Sequence, residues 1–137
     1  MSQENVEVVL HAHAAFSRGD LDAFLADCEP DVTYRAAITQ EIEGDAGDFR
    51  GHDGIRRWWS DLHDLYDGLR TVVLEVRDLG DRVVLVYVIS GRAKGSGLVF
   101  EGGQTLAQVV HLRQGRIAEV RDYPGRSEAL EAAGLRE

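Results

Sequence analysis

TLAQVVHLRQGRIAEVRDY, residues 105–123, decides how this chain folds. Two runs rich in β-branched and aliphatic residues, Thr105 to Leu112 and Arg116 to Tyr123, flank Arg113-Gln114-Gly115, and this pattern is that of an antiparallel hairpin. A long hairpin closing a curved sheet builds one wall of a small-molecule pocket, so Gln108 and Asp122 become candidate pocket groups. Their facing depends on the turn. A three-residue loop with Gly115 at a left-handed bulge pairs Leu112 with Arg116, Val110 with Ala118, Gln108 with Val120 and Leu106 with Asp122, which puts Gln108 and Asp122 on one face. A two-residue loop on Gln114-Gly115 instead brings Glu119, Arg121 and Tyr123 beside Gln108, because a slip of one residue inverts every side chain. The first reading is adopted and the second stays open.

Upstream, Leu69 to Leu79, Arg82 to Lys94 and Leu98 to Leu112 read as antiparallel strands punctuated by Gly80-Asp81 and Gly95-Ser96-Gly97. The interior Gly102-Gly103 marks a bulge or bend that lets the sheet curl. Before these strands the period changes. Val6, Val9, Leu10, His13 and Phe16 follow helical spacing over Glu4 to Arg18, with Gly19 as the stop. Asp20 caps a second short helix through about Cys28, Glu29-Pro30-Asp31 breaks it, and a strand follows from Val32 to Ala37. Thr39 to His52 is acidic and aperiodic, a loop placed to cover a pocket mouth. After Asp53, the residues Ile55, Trp58, Trp59, Leu62, Leu65 and Tyr66 recur every three or four positions as the buried stripe of a helix. Ser127 caps a terminal helix that stops at Gly134. Helices and one strand followed by a long meander predict an α+β domain: a cone-shaped half-barrel in which a curved, mixed but mostly antiparallel sheet wraps N-terminal helices.

Composition bounds the function. At 137 residues the chain suits a single domain spanning 1–137, and 44% hydrophobic with 28% charged residues is ordinary globular composition. A net charge of −9 opposes the basic footprint of nucleic-acid or anionic-membrane binding, and no apolar run approaches the ~20 residues that span a bilayer, so a cytoplasmic protein is expected. Cys28 is the single cysteine, read as a small buried side chain rather than a nucleophile. Metal binding is not expected. His11 and His13 point about 200° apart on a helix, and His63 with Asp67 lacks a third ligand. No phosphate-cradling glycine loop precedes a helix, so no cofactor is expected either.

Three stretches resemble the nuclear transport factor 2-like superfamily, with its cystatin-like fold, and within it the SnoaL-like, polyketide cyclase-like branch. They are Phe16-Ser-Arg-Gly-Asp-Leu-Asp-Ala-Phe24, Gly51-His-Asp-Gly-Ile-Arg-Arg-Trp-Trp59 and Leu112-Arg-Gln-Gly-Arg-Ile117 with Tyr123. The superfamily holds cyclases, isomerases, hydrolases, dehydratases and silent binders, so the resemblance implies a fold and not a reaction. Comparison with ketosteroid isomerases places Ala12 at the oxyanion tyrosine, Ala36 at the catalytic base and Gln108 at the second oxyanion acid, which disfavours that mechanism. The Arg-x-Asp of limonene-epoxide hydrolases occurs only as Arg18-Gly19-Asp20, at a helix stop, which disfavours that one too.

In SnoaL-type cyclases the resemblance implies an aspartate near the end of the last strand, assisted by a pocket histidine, and here these correspond to Asp122 and His13. Gln108 and Tyr34 are then orienting groups, and Trp59, His63 and Tyr66 additional substrate-binding candidates. The expected function is cofactor-free acid/base chemistry of the cyclase, isomerase or dehydratase type on a hydrophobic carbonyl- or hydroxyl-bearing small molecule. A non-catalytic binding module and a structural homodimer with a vestigial pocket stand as alternatives. The resemblance also implies homodimerisation through the outer sheet face.

Overall fold

The computed structural model describes residues 2–35 and 48–135. Helix α1 (Ser2–Ser17) and the short α2 (Leu21–Ala26) precede strand β1 (Cys28–Arg35); β2 (Asp48–Arg50) leads into α3 (Gly51–Leu65). The chain then runs through β3 (Tyr66–Asp78), β4 (Arg82–Ala93), β5 (Val99–Arg113) and β6 (Arg116–Tyr123) to a final helix α4 (Arg126–Ala132). The six strands form one sheet in the order β2-β1-β6-β5-β4-β3. Only β1 and β6 run parallel; the other neighbours are antiparallel. The expected α+β half-barrel with a mixed sheet is what forms.

Local chemistry explains most boundaries. The Asp20 side chain accepts from the Ala23 N–H at 3.1 Å, satisfying a donor that the first turn of α2 leaves open. Curvature arises where the ladder slips. Between Val88 and Ser90 on β4 the register with β5 shifts opposite residues 102–104, where Gly102-Gly103 lie, and β3 carries further irregularities between Asp67 and Arg70 and between Val73 and Glu75. The concave face closes over α1 and α3 around fully buried Val9, Val32, Ile55, Val83, Leu85 and Val110.

Several expected boundaries move. The described part of the Thr39–His52 loop is not loop: 48–50 pair with β1, held by the Arg35 Nε to Asp48 Oδ1 bond at 2.7 Å, and α3 begins at Gly51. The remainder of that segment, and Ala36, lie outside the described residues. Strand β1 starts at Cys28, not Val32, with Pro30 accommodated where the pairing to β6 is interrupted between Cys28 and Thr33. Tyr66 leaves the helical stripe and begins β3. Ser127 sits inside α4, whose N-cap is Gly125.

The outer face is divided. Helix α4 folds back over β4 and β5, burying Ala129, Leu130 and Ala133 against Val84, Val86, Ala107 and Val109. Arg126 at its start grips Glu75 of β3 through Nε (2.8 Å) and Nη2 (3.1 Å), which with Arg77 holds the Glu75 carboxyl below the usual carboxylate range. Beyond α4, Val72 and Leu74 of β3 stay more than half exposed. No helix among the described residues is long and apolar enough to cross a membrane.

Candidate functional site

The turn that sets the facing of Asp122 is the two-residue form. Gln114 (φ +54°) and Gly115 (φ +77°) both adopt left-handed geometry, Arg113 pairs with Arg116, and the loop matches the twist of its strands as a type I′ turn does. Glycine is required at the second position, where a side chain would be strained. None of the pairings of a three-residue loop forms. Yet the face it predicted is kept, because β6 holds a bulge: Ile117 pairs with Leu112 and Glu119 with His111, leaving Ala118 as an extra residue. Beyond the bulge Val120 faces Val110 and Asp122 faces Gln108. One extra residue therefore turns Asp122 inward, with Glu119 left exposed.

Gln108 and Asp122 lie at the polar end of a partly open cavity of about 60 Å³ between α1, α3 and the concave sheet face. Asp122 is 8% exposed and Gln108 6%, the buried polar residues among those described. A connected set of hydrogen bonds joins them. Tyr34 donates its hydroxyl to Asp122 Oδ2 at 3.1 Å, and Tyr87 donates to Oδ1 at 3.5 Å. Gln108 Nε2 donates to the oxygens of both tyrosines, at 3.3 and 3.5 Å, and Gln108 Oε1 lies 2.9 Å from His13 Nε2. His13 Nδ1 lies 3.0 Å from the Thr71 hydroxyl.

Donor and acceptor rules fix the protons. An amide oxygen only accepts, so His13 Nε2 carries a hydrogen; burial lowers the imidazole pKa from its ordinary value, more than the Gln108 bond raises it, so the ring is neutral and Nδ1 accepts from Thr71. Both ring nitrogens are then occupied, and neither by Asp122. The two residues meet through Gln108 and the tyrosines instead of directly, and an amide is a poor proton conductor. His13 thus orients Gln108, and is not placed to exchange a proton with Asp122. The Tyr34 and Tyr87 hydroxyls are pushed well above the ordinary tyrosine pKa, first by burial and then by the Asp122 charge, so they stay protonated donors.

The neutral imidazole has a measurable consequence. Its folded-state pKa lies below the unfolded value of about 6.5, so the unfolded chain takes up this proton first as the pH falls. The stability tied to neutral His13 is fully present above pH ~6.5 and is lost as the pH falls from there through the lower folded-state value. Between pH 7 and pH 5 the urea midpoint of the wild type should fall more steeply than that of His13→Gln; parallel slopes would show that His13 is not held neutral.

The other substrate-binding candidates are not at the cavity. Trp59 turns toward α1 and α2, with its ring edge-on to Phe16 (5.5 Å) and Phe24 (5.6 Å). His63 stacks on Trp59 at 5.1 Å and donates Nδ1–H to the Trp59 carbonyl at 2.8 Å, which ties it to its own helix. Tyr66 packs edge-on against Phe100 at the far end of the sheet. In their place the cavity takes Trp58, Thr71 and Tyr87. Cys28 is buried, its thiol pushed up to about 12 by burial and the neighbouring Asp27 charge, which rules it out as a ready nucleophile. Among the described residues no cluster of three or more His, Cys, Asp or Glu could hold a metal ion.

A curved sheet clasping helices over an apolar cavity, with a buried polar end at Asp122, is the nuclear transport factor 2-like architecture. The SnoaL-like domain family matches residues 9–120, and the chain belongs to it. No curated protein matches the chain in sequence. Solved structures share the fold at low identity. TerC, co-crystallised with polyporic acid, is 23% identical with a TM-score of 0.77, the alignment covering 89% of this chain and 92% of TerC. A hypothetical protein with a ketosteroid isomerase-like fold from Catenulispora acidiphila DSM 44928, in complex with trimethylamine, is 23% identical over 95% of this chain and 94% of its own, with a TM-score of 0.73. A putative SnoaL-like polyketide cyclase from Jannaschia sp. CCS1 is 20% identical, covers 88% and 85%, and gives 0.74.

Proposed function

We propose that this protein is a cofactor-free enzyme that moves a proton next to a carbonyl or hydroxyl of a hydrophobic small molecule, as a cyclase, isomerase or dehydratase would. The observation that carries the reading is the Asp122 carboxylate, buried at the end of an apolar cavity and held by two tyrosine hydroxyls. In the step envisaged, a carboxylate oxygen takes a proton from the carbon beside the carbonyl, and the C–H electron pair becomes the double bond of an enolate. The enolate oxygen accepts from Tyr87, whose hydrogen bonds are the longest in the set and the most readily given up. Tyr34 stays on Asp122 as its support, and Gln108, fixed by His13, orients both hydroxyls. The small molecules bound by related folds, polyporic acid in TerC and trimethylamine in the Catenulispora protein, support a small-molecule ligand for this one.

The test is proton exchange. Phenylacetone in D2O, followed by proton NMR, should lose its methylene signal faster with the protein than in buffer alone. A rate equal to buffer would favour the silent binding module.

The same reading includes a homodimer through the outer sheet face. With α4 covering the β4–β5 portion, the exposed Val72 and Leu74 of β3 are the surface that a second copy would cover. Light scattering should give twice the 15.1 kDa of one chain, and a monomer at micromolar concentration would remove the dimer.

A further inference from the structure

Resting on the reading of this chain as a homodimer, we infer that the second copy is seated in one groove of the outer face, where two arginines of each copy pair with two acids of the other. The groove is open, about 370 Å³ in volume, and crosses β3, β4 and β5. Register places its groups. Asp67 lies opposite Arg92 and Arg92 opposite Val99, while Arg70 lies opposite Ser90 and Ser90 opposite Glu101, so two rows of three run across the strands on one face. That face is the outer one, because Leu69 beside Arg70 is buried in the core and Ile89 beside Ser90 lines the inner cavity. Val72 continues it two residues on from Arg70, opposite Val88.

Charge selects the occupant. Asp67 meets Lys94 only at 3.8 Å with both side chains exposed, and Arg70, Arg92 and Glu101 form no ion pair among the described residues. Two arginines and two acids cancel here, on a chain whose net charge is −9. Two such chains repel unless the surfaces that meet are locally balanced. A uniformly acidic partner would face Asp67 and Glu101, and a basic one Arg70 and Arg92, so either meets like charge. A second copy carries the same alternation by construction, and a two-fold contact forms each pair twice. The apolar part of the patch is equally uncovered. Val99 on the groove wall is 54% exposed, and Val72 and Leu74 on β3 are 57% and 56% exposed, an aliphatic strip inside a charged rim. Helix α4 covers Val84, Val86, Ala107 and Val109, which confines the contact to this end of the face.

Charge reversal tests the pairing, read by sedimentation of the full chain at micromolar concentration. Arg70→Glu with Arg92→Glu should weaken self-association about a hundredfold or more, because each groove then faces like charge, and Asp67→Arg with Glu101→Arg should do the same. Mixed in equal amounts, the two variants should pair with each other within about tenfold of the wild-type affinity. Every substituted side chain is exposed, and a wild-type urea midpoint in each variant shows that it folds. A wild-type dimer that both variants retain would overturn the inference and leave the dimer to another face. Two monomeric variants that fail to pair when mixed would overturn it as well, since the charges would then not meet each other. A monomeric wild type would remove the dimer reading and this inference together.

Discussion

Asp122→Asn should slow the exchange of phenylacetone methylene protons by a factor of about 10² to 10⁴ relative to wild type, the range for removing a positioned general base. The substitution keeps shape and loses the proton acceptor. Tyr34 and Tyr87 now meet an amide whose oxygen still accepts one hydroxyl, while its NH2 group needs the other tyrosine to turn and accept. Gln108 and His13 sit one bond further along and keep their own contacts, so the fold should hold and the loss should lie in the chemical step. A cooperative urea transition in the variant, together with the lost exchange, separates a missing base from a collapsed pocket. Exchange at the wild-type rate would show that Asp122 is not the base.

The architecture was legible because its elements carry separate signals. The Asp20 cap, the three-and-four spacing from Ile55 to Leu62 and the Gly80-Asp81 turn each mark an element without help from the rest of the chain. The site was legible only in part, for reasons of register. On β4 the inward Leu85, Tyr87 and Ile89 alternate with Val84, Val86 and Val88, so both faces are apolar and alternation could not choose one for Tyr87. Counting back from the Gly95–Gly97 turn fails as well, since the shift opposite residues 102–104 moves Tyr87 to Leu106. Asp122 reaches the face that a three-residue turn predicts, but by a different route. The two-residue loop and the extra Ala118 cancel, and nothing in the composition of β6 announces a bulge at an alanine. On α3, adjacent tryptophans share one broad stripe. The spacing says that both are buried, while only the packing of α1 and α2 decides that Trp58 meets the cavity and Trp59 the helices.

That division makes Trp58 the position where stability and ligand binding meet most directly, and Trp58→Ala should lower unfolding stability by about 3–5 kcal/mol. The side chain is 5% exposed and touches Tyr34, Phe16, Phe24 and Trp59, so its removal takes a ring contact from each. The neighbours cannot collapse freely. Tyr34 is tethered by its hydroxyl to Asp122 and Gln108, and Phe24 rides on the capped α2, so most of the void persists. It also joins the existing cavity, whose lining is largely apolar. For a chain of this length the loss should lower the melting temperature by about 10 °C or more. Free indole should restore part of it, raising the variant's melting temperature as RT ln(1 + [L]/Kd) while leaving the wild type nearly unchanged. A loss below about 1 kcal/mol, or an equal indole effect on both proteins, would mean that Trp58 does not form the floor of the pocket.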